Sequence, residues 1–89
     1  MTETVRVWLV DRNADMRNMV TLTYATRTGD RMLRRQQSAD AMRVSDTRVT
    51  AATDVGQHRL ESVDDPERRE WFAAEATRMA TEHAPDDEV

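Results

Sequence analysis

One segment of the chain carries a clear helical signature, and it lies close to the C-terminal end. The motif Asp64-Asp65-Pro66-Glu67 offers an N-capping carboxylate, a proline for the first turn and an acid beside the positive end of a helix. We therefore predict a helix over about residues 65–83. At 100° per residue its apolar stripe covers about one third of the circumference. That stripe consists of Phe72, Ala76, Met79, Ala80 and His83. We expect this stripe to face the sheet that the preceding residues predict.

The preceding residues contain period-two alternations that are typical of strands. The predicted strands cover residues 4–11, 20–25, 31–37 and 49–55. Gly29 lies between the second and third strands, where a residue with positive φ is expected in a hairpin turn. Residues 38–46 fit either a loop or a single helical turn. The prediction is a four-stranded, mostly antiparallel sheet packed by one long C-terminal helix, in the α+β class.

The length and composition limit the chain to one small domain. Its 89 residues include 14 Leu, Val and Phe side chains and no isoleucine, which is a small supply for a core. We assign residues 1–84 to a single α+β domain and 85–89 to an acidic tail. The chain lacks cysteine, and it has no apolar run of membrane-spanning length and no signal-peptide pattern at its start. We therefore expect a soluble, cytoplasmic protein.

Two tryptophans fall outside the core that one helix and one sheet would form. Trp8 alternates with Val5, Val7 and Leu9, so it is predicted on the opposite sheet face. Trp71 lies about 120° from the centre of the helix stripe. Since one helix covers one sheet face, we predict a homodimer in which Trp8, Val10 or Trp71 contributes to self-association. The alternative for Trp71 is a position on the sheet rim, with its indole N–H in water.

The arginines around the predicted hairpin are the other candidate site. Arg27, Arg31, Arg34 and Arg35 are close in sequence, and guanidinium groups bind phosphate well. Residues 1–59 carry a net charge of +3 and residues 60–89 a net charge of −7. The cluster therefore predicts nucleic-acid binding as the alternative function. Alternation splits Arg34 from Arg35, however, and a charged edge strand that resists aggregation also accounts for these residues.

The residue types used in catalysis and metal binding do not form a recognisable motif. His58 and His83 are far apart in sequence and lack the spacings of metal-binding motifs. His83 is expected to interact with the negative end of the helix, whereas the pair Asp64-Asp65 is explained by capping. Asp86-Asp87 belongs to the tail. We therefore name no catalytic, cofactor-binding or metal-binding residue, and we expect a non-enzymatic protein without a cofactor.

The composition and several short motifs resemble those of one group of proteins. The chain has 13 arginines, no lysine and 10 aspartates among its 17 acids, a usage typical of GC-rich, salt-adapted microbes. The motifs that carry the resemblance are Val7-Trp8-Leu9-Val10, Leu22-Thr23-Tyr24-Ala25-Thr26, Thr50-Ala51-Ala52, Asp64-Asp65-Pro66-Glu67 and Arg78-Met79-Ala80. Together they resemble a family of short, uncharacterised haloarchaeal proteins with no assigned function. The resemblance implies no activity and no catalytic residue.

Overall fold

A computed structural model describes residues 3–44 and 48–89. It contains an antiparallel sheet, two α-helices and one short 3₁₀ helix. In chain order the elements are β1 (Thr4–Ala14), β2 (Met19–Ala25), β3 (Arg31–Ser38), α1 (Ala39–Val44), β4 (Ala52–Gly56), the 3₁₀ helix (Gln57–Arg59), β5 (Glu61–Ser62) and α2 (Pro66–Glu82). The predicted α+β class with one long C-terminal helix is confirmed.

The sheet has five strands in the described part of the chain, so the predicted number of four was wrong. Their order is β4-β1-β2-β3-β5, and all neighbours are antiparallel. The missing strand, β5, contains only Glu61 and Ser62, both exposed. Two polar residues give no alternation, so tertiary pairing with Arg31 and Met32 creates this strand.

Two tight turns connect the central strands. Between β1 and β2, the Asp15 carboxylate accepts hydrogen bonds from the backbone N–H groups of Arg17 (2.9 Å) and Met19 (3.0 Å). Asn18 in this turn has a φ of 65°, a conformation that asparagine tolerates better than most residues. Between β2 and β3, Gly29 has a φ of 75°. The prediction of a glycine hairpin turn is therefore confirmed, whereas β1 extends three residues beyond its predicted end at residue 11.

The segment before β4 differs most from its prediction. The predicted fourth strand covered residues 49–55, but β4 begins at Ala52. Residues 49–52 also pair with the C-terminal residues: the Ala51 N–H donates to the Asp87 carbonyl at 2.8 Å, and the Val89 N–H donates to the Val49 carbonyl at 2.9 Å. Residues 85–89, predicted as a tail, are thus held by backbone hydrogen bonds.

The sequence of residues 38–46 is compatible with either a loop or a helical turn. Residues 39–44 form α1, in which Ala41 N–H is capped by the Ser38 hydroxyl at 3.0 Å. Residues 45 and 46 of that prediction lie outside the described residues.

Helix α2 begins and ends within one residue of its predicted bounds. The Asp65 carboxylate accepts a hydrogen bond from the Glu67 N–H at 3.0 Å, and Pro66 occupies the first turn. The predicted stripe is confirmed, since Phe72, Ala76 and Met79 are buried, while Ala80 and His83 are half-buried. The three buried side chains form one hydrophobic core with side chains of β1 to β4, and Ala80 packs against it.

Candidate interaction surfaces

Trp8 and Val10, two of the predicted self-association residues, are buried within the single chain. Trp8 is 6% exposed and Val10 is 9% exposed. Trp8 lies opposite Ala25 on β2 and Ala52 on β4, and paired residues of antiparallel strands share a sheet face. These two small side chains leave room for the indole. The chain therefore covers the sheet face of Trp8 itself, contrary to the expectation that this face needs a partner.

A register shift in β1 accounts for the burial of Val10. Leu9 pairs with Tyr24 and Asp11 pairs with Thr23, so Val10 is an additional residue between two regular pairs. Such a β-bulge interrupts the alternation of side chains between the two sheet faces and changes the direction of the adjacent side chains. Residues 7–10 of β1 are all buried. Val7 and Trp8 pair regularly with β4 and point to opposite faces, so both faces of the sheet are covered at this part of β1.

Trp71 remains at the surface, as its position on the helix predicts. It is 48% exposed, and its ring centroid lies 5.4 Å from that of Phe72, with the planes inclined by 56°. The Arg68 guanidinium carbon lies 5.3 Å from the Phe72 ring centroid. The indole thus projects from a helix whose neighbouring aromatic ring is fixed in the core. Among the described residues, the other large apolar side chains with high exposure are Met16 and Val44.

The four hairpin arginines do not form one patch. Arg34 pairs with Thr23 and Arg35 pairs with Leu22, so they point to opposite faces of the sheet, as alternation predicts. Arg31 shares the face of Arg35, whereas Arg27 lies exposed in the turn. The described residues place no carboxylate within salt-bridge distance of any of these arginines.

Tyr24, the aromatic residue of β2 nearest to the hairpin, is 3% exposed. The Arg35 guanidinium carbon lies 5.9 Å from its ring centroid. Burial raises the pKa of the Tyr24 phenol above its ordinary value, although the positive charges of Arg35 and Arg12 oppose this effect. A ring so deeply buried has no free face on which a nucleotide base could stack.

A polar cluster and a cavity adjoin the C-terminal end of α2. His83 Nδ1 lies 3.7 Å from Asp87 Oδ2, and the same carboxylate atom accepts a hydrogen bond from the Ala84 N–H at 2.9 Å. Asp87 thus closes the helix end. A cavity of about 280 Å³ beside it is lined by Leu9, Val10, Asp11, Arg12, Arg78, Met79, His83 and Val89.

Other predicted polar residues have structural partners or lie at the surface. Arg78 binds both Glu75 (2.8 Å) and Glu82 (3.0 Å) on α2. His58 is exposed in the 3₁₀ helix. Within residues 3–44 and 48–89, no three His, Asp or Glu side chains come together in an arrangement that could hold a metal ion. Neither helix in these ranges has the length and apolar character needed to cross a membrane.

The outer edge of β3 is only partly covered, which agrees with the charged edge strand considered for its arginines. The Thr26 N–H donates to the Arg31 carbonyl at 3.1 Å, and the Val63 N–H donates to the Asp30 carbonyl at 2.9 Å. Backbone groups in an antiparallel strand alternate between its two neighbours. Residue 30 therefore faces β5 and residue 31 faces β2, so Arg34 and Gln36 also direct their N–H and C=O groups away from β2.

The pairing of β5 stops before it reaches these groups. It covers Arg31 and Met32 only, and the described residues contain no further strand on this side. Pairing toward Arg34 ends here because the register of β5 would place Arg59 opposite Arg34, and Arg59 belongs to the 3₁₀ helix.

A family model for a family of unknown function, DUF7967, matches residues 1–89. The chain therefore belongs to this family, which agrees with the resemblance to an uncharacterised family. No curated protein and no solved structure matches the chain.

Proposed function

We propose that this chain is a small non-enzymatic protein-interaction domain that self-associates through the outer face of α2 around Trp71. The observation that carries the proposal is the contrast among its four aromatic side chains. Trp8, Tyr24 and Phe72 are at most 6% exposed, whereas Trp71 is 48% exposed. Tryptophan is enriched at the centres of protein interfaces, where it contributes a large apolar area with few rotatable bonds.

The position of Trp71 on a capped helix supports a role as an interface anchor. Asp65 caps the first turn, and Phe72 fixes the adjacent part of the helix in the core. A side chain on such a rigid element loses little conformational entropy when it binds. The indole is therefore prepared for association before a partner arrives.

The rest of the outer face of α2 favours a second copy of the same helix. Ala74 and Thr77, which lie on this side, are small and exposed, so a second helix can approach closely. Residues 66–82 contain four acids and three arginines, and Arg69 donates to the Val63 carbonyl. Four acids and two arginines remain for the outer side, a net charge of −2, so repulsion between two copies is modest and is screened by salt. An antiparallel pair of helices crossing at Ala74 would bring Trp71 of each copy close to Arg78 of the other, an arrangement favourable for cation–π contact.

The test is the molar mass in solution as a function of protein concentration. We expect light scattering to show a reversible monomer–dimer equilibrium that shifts to the monomer in Trp71→Ala. Losing one buried indole at each end of a symmetric contact should weaken association by a factor of at least about 100, or about 2.7 kcal/mol. A chain that stays monomeric at millimolar concentration would contradict the proposal.

A matched control distinguishes association through this surface from non-specific association through exposed apolar side chains. Met16→Ala removes another exposed apolar side chain at the β1–β2 turn and should leave the dimerisation constant unchanged. Trp8→Phe keeps an aromatic ring in the core and leaves Trp71 as the only tryptophan. Its fluorescence emission should then shift to shorter wavelength as the protein is concentrated.

Nucleic-acid binding through Arg27, Arg31, Arg34 and Arg35 is the alternative. Its support is that these guanidinium groups lack carboxylate partners within the described residues. Against it, they are divided between two sheet faces, and Tyr24 is buried. Retention on immobilised DNA or RNA that weakens with salt and is lost when Arg34→Ala and Arg35→Ala are combined would favour it over self-association.

A further inference from the structure

We propose that the outer edge of β3 binds an extended acidic peptide segment of another protein as an additional strand. This inference does not depend on self-association through α2. It rests on an open row of backbone hydrogen-bonding groups and on the positive charge beside that row. The surface is called the β3 edge here and comprises residues 33–37.

The backbone of the β3 edge is prepared for strand addition. Arg34 and Gln36 each direct one N–H and one C=O away from β2, as the alternation of hydrogen bonds at Asp30 and Arg31 requires. These four groups continue the line along which Met32 pairs with Glu61. The five residues span about 17 Å at 3.4 Å per residue, so a peptide of five to six residues would extend the ladder beyond β5.

The other edge of the sheet is partly closed. The Ala52 N–H at the start of β4 donates to the Pro85 carbonyl at 3.0 Å. The C-terminal segment thus occupies the beginning of that edge. The β3 edge, in contrast, has no backbone partner among the described residues beyond Met32.

The charges beside the β3 edge select an acidic occupant. Arg34 is exposed on one face, and Arg35 is half-buried on the other face. Side chains of a paired strand lie directly opposite their partners on the same face. Two consecutive acidic residues in a bound peptide would therefore meet Arg34 on one face and Arg35 on the other.

The same arrangement disfavours the other occupants. Two copies of β3 paired about Arg34 or Arg35 would bring identical cations together, which destabilises the pair. A nucleic acid has phosphates for the guanidinium groups but no regular series of amide groups to pair with the backbone of Arg34 and Gln36. An acidic peptide supplies carboxylates for the guanidinium groups and amide groups for the backbone of Arg34 and Gln36.

The experiment uses an acetylated and amidated octapeptide, Thr-Val-Thr-Glu-Glu-Val-Thr-Val, and the full chain carrying Trp71→Ala, so that association through α2 does not interfere. Amide hydrogen exchange followed by NMR is the measurement. In the free protein the Arg34 and Gln36 amides should exchange rapidly and the Arg35 amide slowly. The peptide should slow exchange at Arg34 and Gln36 by at least about tenfold.

Gln36→Pro and Gln36→Ala form a matched pair of variants. Proline removes the outward N–H of residue 36 without removing a hydrogen bond to β2, whereas alanine keeps it. We expect proline to weaken peptide binding by at least about tenfold and alanine to leave it within about twofold. Circular dichroism on both variants checks that the fold is retained.

Peptide and protein controls decide between the occupants. The same octapeptide with both glutamates replaced by glutamine should bind at least about fivefold more weakly. An octapeptide that is N-methylated at the alternate residues whose N–H groups face β3 should not bind. The proposal would be overturned if Gln36→Pro bound the peptide as tightly as the parent, or if the peptide did not slow amide exchange at Arg34 and Gln36. It would also be overturned if the glutamine peptide bound as tightly as the glutamate peptide. Two other results would overturn the proposal. One is slower exchange of these amides when only the protein concentration is raised, and the other is stronger protection by an oligonucleotide than by the peptide.

Discussion

Replacing Gly29 by alanine should destabilise the fold more than any other change of similar size, because two separate costs coincide there. Gly29 has a φ of 75°, and a Cβ at this position would lie 2.1 Å from the Arg69 carbonyl oxygen and 2.8 Å from the Ala73 nitrogen. Both contacts are with the backbone of α2, which cannot rotate away. The β2–β3 turn therefore packs directly against the backbone of α2, at a distance that only a residue without a side chain allows.

The two costs can be estimated separately. An alanine at positive φ loses about 1 kcal/mol relative to glycine. Relieving the overlap requires the turn or the helix to move, which costs about 1–3 kcal/mol in a packed core. The sum, about 2–4 kcal/mol, is a large part of the about 4–13 kcal/mol expected for a chain of this length.

Urea unfolding followed by circular dichroism measures this loss. Gly56→Ala is the matched control, since Gly56 is the other glycine of the chain and has an ordinary extended conformation, with φ −62° and ψ 135°. It should change the free energy of unfolding by less than about 1 kcal/mol. A Gly29→Ala protein within about 0.5 kcal/mol of the parent, or an equal loss in Gly56→Ala, would refute the proposed contact between the turn and α2.

Two further changes test the helix cap and the buried phenol. Asp65→Ala should lower the free energy of unfolding by about 1 kcal/mol because the Glu67 N–H loses its acceptor, whereas Asp64→Ala should lower it less in the same urea experiment. The pKa of Tyr24 is raised by burial, so its contribution is complete below the unfolded pKa of about 10 and is lost as the pH rises through the folded value. Unfolding at a series of pH values above about 9 should show this loss, and Tyr24→Phe should reduce it.

The elements that local sequence determines were predicted closely. The capping motif and the periodic stripe locate α2 within one residue at each end, because N-capping and helical periodicity depend on residues that are neighbours in sequence. Gly29 indicated the β2–β3 turn for the same reason. The contact of Gly29 with α2 could not be predicted, since no local pattern reveals which distant backbone lies against a turn.

Elements determined by tertiary pairing were predicted poorly. β5 contains two exposed residues, and its strand conformation depends on Arg31 and Met32 of β3. Residues 49–52 were assigned wholly to β4, although part of this segment also pairs with residues 85–89 through the backbone. Backbone hydrogen bonds carry no sequence signature of their own, so the acidic residues 85–89 gave no sign of their pairing with this segment.

The burial of Trp8 changes what self-association of this chain would mean. A partner is not required to complete the core, because Ala25 and Ala52 accommodate the indole within one chain. Association through Trp71 would instead join folded domains, and the dissociated domain should remain folded. The Trp71→Ala protein should accordingly unfold cooperatively at a midpoint close to that of the parent at low concentration.

The two proposed surfaces should respond to salt in opposite directions. Contact through Trp71 buries apolar area on the outer side of a helix, where the net charge is −2, so sulfate, which strengthens apolar burial, should favour it. Peptide binding at the β3 edge depends partly on Arg34 and Arg35, whose attraction to carboxylates is screened when the Debye length falls to about 3 Å at 1 M ionic strength. If both processes weakened with salt, α2 association would be electrostatic, and the exposed indole would not be its cause. If both strengthened, the arginines would not select an acidic partner, and the edge would bind through its backbone alone.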